Sequence, residues 1–418
     1  MPPAAPTRPS RRTDLDVLRI IICFSVILAH ALLIFAAEPR YHVKSASPWV
    51  VATVGYEFLR IATLAIFFVL AGWSAVASLR RRTWTRYVQD RLARVLLPLV
   101  AGIILLGPVI KWIELGQGRD LRINGFRLVE PPTFGFLEFL PRYFGRLQLL
   151  TWSHLWFLAY LLLISLALLP VLLRLAKRTP SLAVPGQVLA YAPAVLLGGY
   201  IAASGGYWPF LPNLVQDWAN LGYFALCFLA GAGMAAWPGY EARLRAEAPG
   251  LAALAMIGLV VVVMAGESAI GRLGVGLCAW GSIGAGLGFA GRHPPAPGPL
   301  LAWLGEATMP VYVLHHIPVL ALGALLLPHG GPPWLAVLAI TAGATAASLA
   351  AYRLLVQPWP WPRLLVGMEA RPRAPDQSAG AANPAQRNGT ISATARSKSP
   401  LSQAPPDIAS SRPVRSSV

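Results

Sequence analysis

With 418 residues, 56% of them hydrophobic and only 12% charged, the chain lacks the polar surface of a soluble protein, which carries about a quarter charged residues. Mean hydropathy of +0.57 and apolar runs near the length of a bilayer crossing identify an all-α polytopic membrane protein. The net charge of +18 does not point to nucleic acid. Most Lys and Arg stand in short clusters beside apolar runs, where they orient spans.

Residues 1–13, rich in Pro and Arg, are expected to be a disordered tail. Ten spans are predicted, at 17–37, 58–79, 95–113, 154–173, 186–203, 218–237, 250–265, 271–290, 308–327 and 333–356. Arg11, Arg12 and the small-x-small triplet Ala29-His30-Ala31 give the first run the look of a cleaved signal. It is nevertheless of bilayer length and followed by many more, so it is read as a retained helix. The runs at 250–265 and 271–290 are short, Gly-rich and divided only by Glu267 to Gly271. Between the third and fourth spans, 114–153 forms a long outer loop. Its aromatic and Arg content suggests an interfacial helix near 135–150. The membrane domain is thus placed at 14–358 and a basic tail at 359–418. Within that tail, 370–418 is Ala, Ser, Pro and Arg with almost no large apolar residue, a disordered composition. No internal repeat is evident.

Flanking charge sets the orientation. With the N-terminus inside, inner segments carry about fifteen Lys and Arg against eight outside, five of the eight in the long loop, which counts less. Both termini are therefore expected in the cytoplasm. The three cysteines, Cys23, Cys227 and Cys278, lie inside apolar runs and read as small buried hydrophobes, without zinc or disulfide spacing.

Polar residues inside the apolar runs carry the functional information, because each costs a few kcal/mol unless paired or facing a wet cavity. The first span holds Arg19 and His30. Eleven residues at about 100° each bring them onto one face, about 16 Å apart along the axis. Asp16 stands i−3 from Arg19 and can pair with it. On its own, Arg19 reads as a residue that snorkels to headgroups. A titratable His30 at that depth is either a buried hydrogen-bonding group or a functional one. Arg91 and Arg94 sit three apart at the start of the third span. They can anchor topology or clamp a phosphorylated ligand. His154 and Trp156 open the fourth span, as an aromatic belt would. Tyr312 stands three and four residues before His315 and His316, so at least one of these histidines is expected to face the bundle interior. No GxGxxG, GxxxxGK[ST], HExxH or GxSxG occurs, which disfavours ATP hydrolysis, zinc peptidase and serine esterase chemistry.

Taken in chain order, these stretches resemble the family-3 membrane acyltransferases, which modify bacterial glycans. The resemblance rests on Leu15-Asp16-Val17-Leu18-Arg19 with His30, Phe67-Phe68-Val69-Leu70-Ala71-Gly72-Trp73, Arg91-Leu92-Ala93-Arg94 before Leu97-Pro98, His154-Leu155-Trp156-Phe157-Leu158, and Val311-Tyr312-Val313-Leu314-His315. It covers about residues 13–358. Tyr41-His42-Val43-Lys44-Ser45 is most similar to the glucan-succinylating (glucan biosynthesis protein C-like) subgroup. Two departures stand out. Ala71 replaces a common Ser before Gly72, and Ala159-Tyr160 follows the Trp-Phe-Leu stretch where a carboxylate is common.

The resemblance implies an enzyme of the bacterial inner membrane that moves an acyl group from cytoplasmic acyl-CoA to a hydroxyl of an extracytoplasmic glycan. No bound cofactor or metal is implied. Arg19, Arg91 and Arg94 would meet the CoA phosphates, and His30 would act as general base or carry the acyl group briefly. His315 or His316, with Tyr312, would orient it or stabilise the oxyanion, and His154 and Trp156 would contact the acceptor. A secondary transporter or flippase of lipid-linked glycans would share the intramembrane histidines but gives no reason for Arg19 to share a surface with Arg91 and Arg94. A non-catalytic membrane partner gives no reason for His30.

Overall fold

The computed structural model describes residues 12–121, 127–205 and 213–370. Arg8, Arg11, Arg122, Phe126 and the segment 371–418 lie outside the described residues.

The described chain is a helical bundle. In order it comprises α1 (Thr13–Phe35), α2 (Val50–Leu79), α3 (Trp84–Arg91), a π-turn (Leu92–Leu96), α4 (Leu97–Leu105) and α5 (Gly107–Gly116). A two-residue ribbon follows, with β1 (Arg119–Asp120) antiparallel to β2 (Arg127–Leu128), and then α6 (Phe136–Gly145), α7 (Trp156–Ala167), α8 (Leu169–Lys177) and α9 (Val188–Ser204). The chain continues through α10 (Trp218–Ala236), α11 (Pro238–Ala265), α12 (Ala269–Arg292), α13 (Pro299–Leu314), α14 (His316–Leu326), α15 (Pro333–Ala351) and α16 (Pro360–Leu365).

Among the described residues six helices are long and apolar enough to cross a membrane, and up to nine candidate spans result when each bent pair counts as one. The shorter apolar helix α9 accounts for the remaining predicted segment, 186–203. Three runs expected as single spans are broken. The helix bends by 43° between Leu105 and Gly107, by 61° between Ala167 and Leu169, and by 57° between Leu314 and His316. Pro108, Pro170 and Pro318 each follow the break by two or three residues. Each removes a backbone donor and crowds the carbonyl one turn back. The third bend falls on the His315-His316 pair, so a proline that reads as a span interruption also shapes the candidate site.

Glycine sets the closeness of the packing. A Cβ at Gly72 of α2 would lie 1.9 Å from the Phe228 carbonyl oxygen, and one at Gly231 of α10 would lie 1.8 Å from that of Val69. The Gly-rich runs expected at 250–265 and 271–290 form the long, close-packed pair α11 and α12. A Cβ at Gly258 would stand 2.3 Å from the Cys278 nitrogen. Gly266, at φ +54°, turns the chain between them, and Ser268 caps α12 by accepting from the Gly271 N–H at 3.2 Å.

The helix expected near 135–150 is α6. Its Tyr143 is fully buried and donates to the Ile103 carbonyl at 2.9 Å. Phe134, Phe136 and Phe139 pack around Trp112. The tail placed at 359–418 begins too early. Residues 360–365 form α16, whose buried Arg363 pairs with Glu306 at 2.9 Å. α1 starts at Thr13, within one residue of the boundary expected for the membrane domain. All three cysteines are buried and free.

Candidate active site

The site is built where α1, its following loop, α2, α7 and the α13–α14 bend meet. They enclose a cavity of about 600 Å3 lined by His30, Tyr41, His42, Ser153, His154, Trp156, Tyr312 and His316, together with Phe67, Arg60 and Tyr223. His30 projects from the C-terminal part of α1. Its ring lies 4.6 Å from that of His316 and 5.3 Å from that of His315, centre to centre. His154 stacks on His316 at 4.7 Å and stands 5.0 Å from His315.

Four expected residues, His30, His154, His316 and Tyr312, therefore converge on one cavity, with Trp156 beside them. His154 is buried within the bundle, not placed as a surface belt residue. His315 stands behind the lining, fully buried, with Nδ1 against the carbonyl of Tyr312 at 2.7 Å. The break in the helix at Leu314 is what lets His315 turn back on α13 while His316 faces the cavity.

The hydrogen-bond partners assign the tautomers. Since Nδ1 of His315 faces carbonyls it carries the proton, leaving Nε2 as a lone pair. His154 Nε2 donates to the Val313 carbonyl at 3.0 Å, leaving Nδ1 as a lone pair. Among the described residues, His30 Nδ1, His154 Nδ1, His315 Nε2 and both nitrogens of His316 are buried without a hydrogen-bond partner. Buried polar groups are normally satisfied, so this many unmet imidazole nitrogens around one cavity suits a polar guest. Tyr312 donates to the His154 carbonyl at 2.7 Å, which ties α13 to the start of the fourth span. Nitrogens of His30, His315 and His316 lie within 4.8 Å of one another, a spacing at which three imidazoles could share a metal ion.

Each of the three arginines has a partner within the chain. Arg19 donates to Ser74 Oγ at 2.6 Å and to Asp16 at 3.3 Å. Arg91 lies over the Tyr87 ring at 4.8 Å, while Arg94 pairs with Glu369 at 2.5 Å. A π-turn starts at Leu92, between the two arginines.

A second group of site residues was not expected from the sequence. His42, in the loop after α1, holds Glu114 of α5 through Nδ1 and Ser153 Oγ through Nε2 at 3.0 Å. Glu114 also accepts from Lys111 Nζ at 2.5 Å and from the Leu121 N–H at 2.6 Å, and Lys111 reaches Asp120 at 2.5 Å. Lys111 and Glu114 are each 1% exposed. The available signal was a Lys and a Glu three residues apart at the end of an apolar run, an expensive placement. The carboxylate missing after Trp156-Phe157-Leu158 has a spatial substitute, because Tyr160 donates to Asp217, which also accepts from Asn220 at 2.7 Å. Burial raises the Asp217 carboxyl above its ordinary range.

The sequence pattern that defines the family-3 acyltransferase domain matches residues 12–353. The match contains every residue of the cavity wall named above. Neither the curated proteins nor the solved structures yield a match to this chain.

Proposed function

The chain belongs to the family-3 acyltransferases, and on that premise we propose that it is an inner-membrane O-acyltransferase that moves an acetyl or succinyl group from cytoplasmic acyl-CoA to a hydroxyl of an extracytoplasmic glycan. The observation that carries this reading is the convergence of His30, His154, His315 and His316, with unmet ring nitrogens, around one cavity inside the bundle.

Acyl transfer needs a base to take the acceptor proton and a donor to the oxyanion. His30 acts as the base, or carries the acyl group briefly. His316, which has an N–H without an acceptor among the described residues, steadies the oxyanion, with His315 and Tyr312 supporting it. Arg19, Arg91 and Arg94 engage the CoA phosphates, exchanging Asp16, Ser74, Tyr87 and Glu369 for the ligand. His154 and Trp156 meet the acceptor. The cavity placement of Tyr41 and His42 favours the subgroup with glucan acceptors, since the residues that resemble it line the reacting space.

The test is transfer from labelled acetyl- or succinyl-CoA in membrane vesicles, comparing the wild type with His30→Ala at matched expression. A general base contributes about 100- to 10,000-fold, so label on glycan, or released as acid, should fall by that factor. Equal turnover would remove His30 from the chemistry. No turnover with either donor, together with no CoA binding, would remove the acyl-CoA reading.

A further inference from the structure

Ser153, His42 and Glu114 come from three separate segments: the start of the fourth span, the loop after α1, and the end of α5. They form a linear chain at the wall of the same cavity. The order of partners fixes the protons. An ionised Glu114 can only accept, so His42 Nδ1 carries the hydrogen, and Nε2, 3.0 Å from Ser153 Oγ, is left as the acceptor for the serine proton. This is the polarity of an activated serine, with a base that a third group orients.

The carboxylate is itself held by Lys111 and by the Leu121 N–H, and Lys111 by Asp120. A hydrogen-bonded strut would need no such second layer, whereas a base must be kept in one tautomer and one orientation. Ser153 also carries φ +43°, a left-handed conformation rare outside glycine. Thr151 Oγ1 accepts from its N–H at 3.1 Å and holds it there. Strain of that kind at a polar residue on a cavity wall marks a side chain aimed for a task.

We propose that Ser153 is an acyl-carrying nucleophile, with His42 as its base and Glu114 as the group that orients His42. The donor, acyl-CoA, rests on the function proposed above. In the first half-reaction His42 Nε2 takes the Ser153 proton while Oγ bonds to the thioester carbonyl carbon. The carbon–sulfur bond then breaks, and the thiolate leaves with the proton from His42 as CoA thiol. In the second, His42 takes the proton of the acceptor hydroxyl as that oxygen bonds to the ester carbonyl. The carbon–Oγ bond breaks, and Ser153 recovers its proton from His42. The His316 ring, 5.3 Å from His42, lies within reach of the oxyanion in both halves. On this route His42 takes the place of His30 as the base, and His30, whose ring packs on the same His316 at 4.6 Å, orients the acceptor.

Two measurements on the purified full-length protein in lipid nanodiscs test this. In the first, a fluorophosphonate probe is added without acyl-CoA. Attack by an activated serine expels fluoride and forms an Oγ–phosphorus bond, which peptide mass spectrometry locates. Labelling of the Ser153 peptide, abolished in Ser153→Ala and reduced at least about a hundredfold in rate in His42→Asn, is the expected result. In the second, acetyl-CoA is added without acceptor, and an acetyl ester is sought on Ser153. Thermal unfolding of each variant confirms that it is folded.

Probe labelling of Ser153 with neither acetyl ester nor CoA binding supports the nucleophile and removes acyl-CoA as donor. Absence of label on Ser153 in folded wild type overturns the proposal, as does Ser153→Ala turning over acyl-CoA at the wild-type rate, and either result leaves the acyltransferase reading standing.

Discussion

At the scale of single residues, Lys44 shows how the loop after α1 is pinned. Its ammonium donates to the carbonyls of Leu33 and Ala36, each at 2.6 Å, satisfying the C-terminal end of α1 where the helix leaves carbonyls unmet. Burial lowers its pKa from 10.5 to about 8. Between those values the unfolded chain holds a proton that the folded chain has released. Unfolding there takes up a proton, so stability rises with pH across the window. Below about pH 8 both states are protonated and the desolvation cost is present in full. Thermal unfolding of wild type and Lys44→Met in nanodiscs should therefore diverge in favour of the wild type from pH 8 to 10.5. A difference that stays constant over that range would show that Lys44 keeps an ordinary pKa. The same loop explains why the site was only half legible. His30, His154, Tyr312, His315 and His316 announce themselves as polar residues within or beside apolar runs. Ser153 and His42 sit in short connections of ordinary composition, and only the fold brings them together.

At the scale of elements, backbone contact between α2 and α10 does more to position the cavity than any single hydrogen bond. Phe67 lines the cavity and Phe68 packs on Phe157, so their placement depends on how closely the α2 backbone can approach α10. Gly72 and Gly231 permit that approach, and the clashing atoms would be backbone, which cannot rotate away. Gly72→Val should cost stability at the upper end of about 1–3 kcal/mol, read as a lower unfolding temperature and less monodisperse protein. Ala71→Ser, one residue earlier at a partly exposed position, should match the wild type. Equal stability for both variants would show that the helices can separate without loss. Helix existence was readable from apolar run length, since each of the ten runs falls on a helix or a bent pair. The bends were not, because hydropathy measures how apolar a segment is and is blind to the direction in which Pro318 or Pro170 sends it.

At the scale of the whole molecule, the orientation can be argued from contacts as well as from charge. Arg12 and Trp73 both reach Glu241, at 2.8 and 2.9 Å, and Arg80 donates to the Ala235 carbonyl at 2.8 Å. Arg292 donates to the Ala246 carbonyl at 2.9 Å. The start of α1, the end of α2, the α10–α11 junction and the end of α12 therefore share one end of the bundle, and it is the end richest in arginine. The other end carries the His42–Glu114 pair and Arg119, which donates to the Tyr41 carbonyl at 2.9 Å. If positive charge is retained inside, the arginine-rich end is cytoplasmic and the His42 end faces outward, the order that a cytoplasmic donor and an external acceptor require. Because the three native cysteines are buried, introduced cysteines can report this directly. Arg146→Cys and Arg82→Cys both replace exposed residues. A membrane-impermeant maleimide added to intact spheroplasts should label Arg146→Cys at once and Arg82→Cys only after permeabilisation. The reverse pattern would invert the topology and place the arginine-rich end outside, where no acyl-CoA is made, so the donor side of the proposed reaction would fall with it.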